Sequence, residues 1–239
     1  METNKNIGWE KTCDRYVAFF DIMGFKEFVT RNTHETVMNK LIELKKIANS
    51  SMALNHSEPL ERINLHEAET RSVSFSDSII IFSKGDSIED AVKILLDAAL
   101  ILGTALDLQI PMKGAFSYGK ITVDFDSSLF FGQPIIDAYN LEEELQLYAG
   151  VLDHHFENKL HILSSKDSSQ NERFKLLLVE NKIHLKSGIV NHKVLKICED
   201  SVLNEQIISI KNFYNTVSGS PRKYVDNTLD FFSKLLPKV

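Results

Sequence analysis

Residues 16–25 read YVAFFDIMGF, and residues 74–82 read SFSDSIIIF. In the first, β-favouring aromatic and branched residues run into one carboxylate, Asp21, and Gly24 then lets the backbone turn into a helix. In the second, alternating serines and aromatics lead to Asp77, and the apolar run Ile79–Phe82 follows at once, which places Asp77 in the tight turn of a hairpin. Two such turns side by side in one sheet bring two acids to one rim. Either acid alone reads as a helix cap or a turn residue. Together, beside the amides that open a helix, they suit a hard divalent cation carrying phosphate.

Outward from these turns, residues 34–53 repeat apolar positions at helical spacing through Val37, Leu41, Leu44 and Ile47. Residues 57–69 read as a short helix or ordered loop, a strand starts near Arg71, and its hairpin partner covers 78–83. Residues 88–108 form an apolar helix interrupted by charges, and 112–123 a further strand. The order β-α-β-β-α-β is that of the ferredoxin-like split pattern: an α+β fold with helices on one face of an antiparallel sheet.

In the strand at 112–123, Lys113 reads as a solvated edge lysine, and Gly114 and Gly119 imply a bulge or the close approach of another chain. From Gly132 the chain turns into a helix whose Ile135, Ile136, Ala138, Tyr139 and Leu141 face a sheet or a partner, with Glu142 to Glu144 solvated. His154, His155 and His161 read as surface residues, the first two on opposite faces of a strand, without metal-ligand spacing. Residues 164–172, SSKDSSQNE, form a loop by composition. Two strands follow around a polar turn at 186–191, then helices over 201–217 and 222–236. The last buries Tyr224, Leu229, Phe231, Phe232 and Leu235 as a lid.

Composition narrows the function. The chain has 239 residues, 43% of them hydrophobic, and a net charge of -6, which argues against the basic surface that nucleic acid requires. A free nucleotide remains a suitable ligand. Cys13 and Cys198 lie far apart without a CxxC, fitting neither a disulfide framework nor zinc and matching a reducing cytoplasm. The polar start METNKNIGWEKTCDR lacks the apolar core of a signal peptide, and no stretch is apolar enough to insert in a membrane.

FFDIMGF resembles the first metal motif of the class III nucleotidyl cyclases, FSDSIII looks like their second metal turn, and GQPIIDAYNLE (residues 132–142) is similar to their later Gly-to-helix segment. The likeness covers roughly residues 16–150, with a looser one in RKYVDNTLDFF. Two departures stand out. The lysine and acid that read a purine edge in the family fall here on Val73 and Leu129, and the transition-state Asn and Arg fall on Ile136 and Asn140. With those departures the chain resembles the pyrimidine nucleotide cyclases of bacterial Pycsar anti-phage systems.

That resemblance implies a division into a polar segment 1–15, a catalytic domain 16–163 and an extension 164–239 packed on it. It implies catalysis by Asp21 and Asp77, which with the carbonyl of Ile22 bind two Mn²⁺ or Mg²⁺ ions, and phosphates cradled by the amides of Met23, Gly24 and Phe25 with Lys113. Val73, Ser74, Leu129, Tyr139 and Asn140 are the implied base and ribose contacts, of which Tyr139 and Asn140 reach base, ribose or phosphate in trans, in the site of the other protomer, while Lys113 or Arg71 takes up the missing transition-state charge. It further implies a homodimer with composite sites acting on UTP or CTP, and a cyclic product read by a separate effector protein. Two alternatives are an adenylate cyclase with an atypical base pocket and a silent dimeric nucleotide-binding domain.

Overall fold

A computed structural model describes residues 8–49, 65–166, 169–198 and 200–236. Strand β1 (Thr12–Ile22) lies between β3 (Ser78–Ser83) and β4 (Met112–Asp124), antiparallel to both. Its residues alternate between two cores. Tyr16, Ala18, Phe20 and Ile22 enter a cluster on one face, and Val17 and Phe19 a smaller one on the other. A strand buried on both faces needs a continuous apolar run, and Tyr16–Phe20 supplies it.

The described strands form one sheet in the order β2-β3-β1-β4-β6-β8-β7, with β5 (Leu129–Phe131) hydrogen-bonded beside β4. The strands β2 (Thr70–Phe75), β7 (Leu178–Leu185) and β8 (Gly188–Leu195) pair antiparallel with their neighbours, and β6 (Gly150–Leu152) runs parallel to β4. The expected α+β fold is therefore present, but the sheet is not wholly antiparallel, because β6 runs parallel to β4, and its helices are not confined to one face, because Ala138 of the helix Gln133–Glu144 packs with Val17 and Phe19 on the other. The expected helix or loop at 57–69 lies mostly outside the described residues, of which Leu65–Glu67 form a 3₁₀ turn.

One face carries α2 (His34–Asn49), α3 (Ile88–Asp107), α5 (His154–Lys166) and α6 (Ser169–Leu177). Helix α3 begins in a reciprocal cap between Ser87 and Asp90, and buries Lys93 by pairing it with Asp97 at 2.5 Å. Among the described helices, α4 (Gln133–Glu144) is the one that crosses the second face, over β1 and β4. It starts at Gly132, where a Cβ would lie 2.6 Å from the Lys120 carbonyl oxygen, and it ends against Lys113. Helix α4 thus runs back along β4 toward the rim that carries Asp21.

The strand glycines have a different cause from the one expected. A Cβ on Gly114 would fall 2.1 Å from Cδ1 of Phe20, and one on Gly119 would fall 3.1 Å from Cγ of Pro134. The close neighbours are a core ring and the start of α4 in the same chain.

Beyond α4 the sequence expectations hold less well. His154 and His155 open helix α5 rather than sitting in a strand, although both are exposed, as is His161. Most of 164–172 is helical, in α5 and α6. The turn between β7 and β8 is the pair Lys186 and Ser187. Helices α7 (Leu203–Asn212) and α8 (Arg222–Leu235) then cover one apolar cluster that joins Leu106, Tyr148, Val151, Ile183 and Val194 to Ile210, Phe213, Tyr224 and Phe231. Leu229 and Leu235 of α8 are only partly buried. No helix among the described residues is long and apolar enough to cross a membrane.

Candidate active site

Asp21 ends β1 with Ser78 as its partner on β3 and Lys113 as its partner on β4. Its side chain shares the second face of the sheet with Phe19, so it lies on the same side as α4. The hairpin turn between β2 and β3 is the pair Ser76 and Asp77, and Ser76 has φ 56, unusual for a residue with a side chain. The amide of Ile22 donates to the carbonyl of Asp77 at 3.1 Å, which fixes the turn against the end of β1. The hydroxyl of Ser78 donates to Oδ1 of Asp21 at 3.3 Å.

The electrostatics follow from this packing. Burial pushes the Asp21 carboxyl up to about 6, and the charge of Asp77 adds to the shift, while the Ser78 hydrogen bond and Lys113 oppose it. A carboxyl raised by burial and by a neighbouring acid in this way is suited to a cation in place of its proton. Among the described residues there is no group of three or more His, Cys, Asp or Glu side chains fit to hold a metal. A divalent ion held here would have two carboxylates and would need its other oxygens from backbone, water or a phosphate, a donor set that Mg²⁺ and Mn²⁺ accept.

The turn after Asp21 departs from expectation at one residue. The amide of Met23 donates to the carbonyl of Pro111 at 2.8 Å, so it cannot also hold a phosphate. Gly24 adopts the left-handed conformation, φ 66 and ψ 33, and caps α1 (Phe25–Arg31) without a side-chain hydrogen bond. The amides of Gly24 and Phe25 therefore stand where a helix has no internal acceptor to offer.

Lys113 is neither solvated nor at an edge. It is 2% exposed, and its Nζ donates to the carbonyls of Glu142 at 2.6 Å and Leu145 at 3.3 Å. Oε1 of Glu142 lies 3.0 Å from the same Nζ. Glu142, expected to be solvated, is 1% exposed, whereas Glu143 is exposed and Glu144 half-buried. Burial pushes the Glu142 carboxyl up to about 7 against the pull of Lys113, and Asp21 adds to the rise. A signal for this was present in the sequence: Pro134, Ala138 and Glu142 are spaced by four, and all three are buried on one stripe of α4.

The remaining candidates divide between the two ends of the sheet. Tyr139 and Asn140 are exposed near the Asp21 rim, with the Tyr139 ring set edge-on to Phe19 at 5.4 Å. Ser74 is exposed and lines a cavity of about 310 Å³ with Ser76, Asp77, His34 and Lys45. Val73 pairs with Ile80 and packs on the second-face cluster. Leu129 is 49% exposed and pairs with Asp124, at the opposite end of β4 from Lys113. At the rise of a strand that is roughly 35 Å away. Arg71 is also remote from the acids, ion-paired to Glu69 at 2.7 Å and stacked over Trp9 at 4.7 Å.

No protein-family model matches the sequence. No curated protein matches it either. Among solved structures, the chain is similar to the catalytic core of a rhodopsin-guanylyl cyclase with converted specificity in complex with ATPαS, with a TM-score of 0.51 and 13% identity over 78% of this chain and 97% of that one. It is also similar to a non-canonical dimeric guanylyl cyclase domain of the RhoGC fusion protein from the aquatic fungus Blastocladiella emersonii, with a TM-score of 0.53 and 13% identity over 78% of this chain and 98% of that one. At this identity the likeness establishes the fold: the chain has the architecture of a nucleotidyl cyclase catalytic domain.

Proposed function

We propose that this chain is a cytoplasmic pyrimidine nucleotide cyclase, which converts UTP or CTP to the 3′,5′-cyclic monophosphate and pyrophosphate. The observation that carries the reading is the convergence of Asp21 and Asp77 at one rim, locked by the Ile22 amide on the Asp77 carbonyl, in a fold shared with guanylyl cyclase domains.

Asp21, Asp77 and the carbonyl of Ile22 would hold a pair of Mn²⁺ or Mg²⁺ ions. Such ions lower the pKa of a ribose hydroxyl, polarise the α-phosphate and neutralise the departing pyrophosphate. The chain's own groups do the rest. Ser78 orients the Asp21 carboxylate by donating to Oδ1. The amides of Gly24 and Phe25, at the positive end of α1, hold phosphate oxygens. Tyr139 and Asn140 offer an aromatic face and an amide at the same rim, suited to a base or ribose.

The pyrimidine assignment rests on Val73 and Leu129, which put apolar groups where purine cyclases have a charged pair. Because Leu129 lies far from the acids of its own chain, a complete site requires two copies, each supplying what the other lacks. The exposed Ile136 and Phe131 fit such an interface. In this reading residues 16–163 are the catalytic unit, 164–239 an extension of it, and the cyclic product signals anti-phage defence through a separate effector.

One competing reading has support of its own. Lys113 and Arg71, the two cations available for transition-state charge, are both engaged elsewhere in the chain. That favours a dimer that binds a nucleotide without turning it over. Purified protein incubated with Mn²⁺ and each ribonucleoside triphosphate, with products resolved by mass, separates the readings. A cyclic pyrimidine monophosphate establishes the proposal. Cyclic AMP alone overturns the base assignment, and absence of product from all four nucleotides leaves the binding reading.

A further inference from the structure

We propose that Lys113 is a positioning residue that touches no phosphate: from β4 it anchors the last turn of α4, and with it Tyr139 and Asn140, against the strand that carries Asp21. This rests on the reading given above and assigns Lys113 a different part in it from the one implied by resemblance.

Lys113 and Asp21 are partners across β1 and β4, with both side chains on the face that α4 covers. An ammonium group has three hydrogens to donate. Two go to the Glu142 carbonyl at 2.6 Å and the Leu145 carbonyl at 3.3 Å, and Oε1 of Glu142 stands 3.0 Å away as an ion pair. The side chain is buried under the end of α4, which leaves a phosphate no access to it.

The Glu142 carbonyl lies in the last turn of α4, where it also accepts from the Leu145 amide at 3.1 Å, the Leu145 carbonyl lies just past the helix end, and a cation is favoured at that end of a helix. Lys113 is therefore a cap delivered from another element. The buried Oε1 of Glu142 accepts no hydrogen bond among the described residues, so the ion pair with Lys113 is its compensation. Tyr139 and Asn140 lie within one helical turn of Glu142, so the pair sets where they stand relative to Asp21.

The test compares Lys113→Met with the double variant Lys113→Met/Glu142→Met. Removing one partner leaves a buried charge alone, whereas replacing both by apolar groups of similar volume is commonly tolerated. The expected result for the single variant is a lower melting temperature, faster amide exchange over residues 139–145, and a turnover at least tenfold down with the KM for nucleotide within about threefold. The double variant is expected to recover melting temperature, exchange protection and most of the turnover. A double variant that regains stability and protection but not turnover overturns the proposal, because Lys113 then acts on the substrate. A double variant that melts no higher than the single one also overturns it, as does a single variant indistinguishable from the parent. If the parent forms no cyclic nucleotide, the proposed function fails by itself. The positioning role then stands or falls on melting and exchange.

Discussion

The amide of Ile22 donates to the carbonyl of Asp77 at 3.1 Å, and this bond brings together two acids that are distant in sequence. Each is expected to be indispensable to catalysis and dispensable to folding. Asp21→Asn and Asp77→Asn should each lower cyclic product by about three orders of magnitude, since each removes part of a charge clamp of several kcal/mol. In metal-free buffer neither should lower the melting temperature, because each relieves repulsion between like charges. Mass analysis of products and thermal melting in chelator check both halves. Turnover near the parent rate in either variant would refute the metal assignment.

The second prediction concerns pH. The Asp21 carboxyl titrates near 6 in place of its ordinary 3.8. The folded, metal-free protein therefore holds a proton there that the unfolded chain releases between those values. Stability from this group is present below about pH 4 and is lost as pH rises through 6. Melting temperature in chelator should fall across that window, Asp21→Asn should make the fall shallower while leaving the share of Glu142, which is raised to about 7, and Mn²⁺ at pH 7 should offset the Asp21 share. A profile identical in parent and variant would show that Asp21 is not the group responsible.

Base choice is the third. Val73→Lys combined with Leu129→Asp restores the charged pair of the purine enzymes. The ratio of ATP to pyrimidine turnover should rise at least tenfold, measured with both triphosphates competing in one reaction. An unchanged ratio would mean that these two positions do not face the base.

Tyr139 is 46% exposed and sets its ring edge-on to Phe19. Tyr139→Ala should therefore cost little stability, about 1 kcal/mol or less, while lowering turnover clearly. Loss of several degrees in melting temperature with activity intact would make Tyr139 a packing residue.

Gly114→Ala should destabilise the fold by about 1–3 kcal/mol, because the added methyl meets the Phe20 ring with nowhere to go. Pairing it with Phe20→Leu should recover part of the loss in a denaturant titration.

The parts legible in the sequence were those set by local chemistry. A β-rich run stopping at Asp21 before a glycine, and a serine-rich turn at Asp77, each encode their geometry within about ten residues. The helix over 88–107 announced itself through its apolar run, whereas its Ser87–Asp90 cap became evident only in the structure. Lys113 and Glu142 were misread because their burial is a property of the pair, 29 positions apart, and neither is apolar. Met23 failed for a similar reason: its amide is taken by Pro111, which no local pattern reveals. The described parts of SSKDSSQNE were mistaken for a loop because no apolar residue marks a helical face there, while the anchoring Phe174 and Leu177 come just after it.

Arg31, at the end of the short helix that follows Gly24, donates from its guanidinium to the carbonyl of Thr216 at 2.8 Å, and Met23 packs into the cluster formed with Phe213 and Tyr224. The turn after Asp21 is thus braced from behind by the segment around Phe213–Tyr224. A minimal fragment cut after residue 163 would lose that buttress along with its tail. Conversely, a force or a bound molecule that shifts the segment between α7 and α8 has a mechanical linkage to Gly24, and the C-terminal region becomes a handle on the turn.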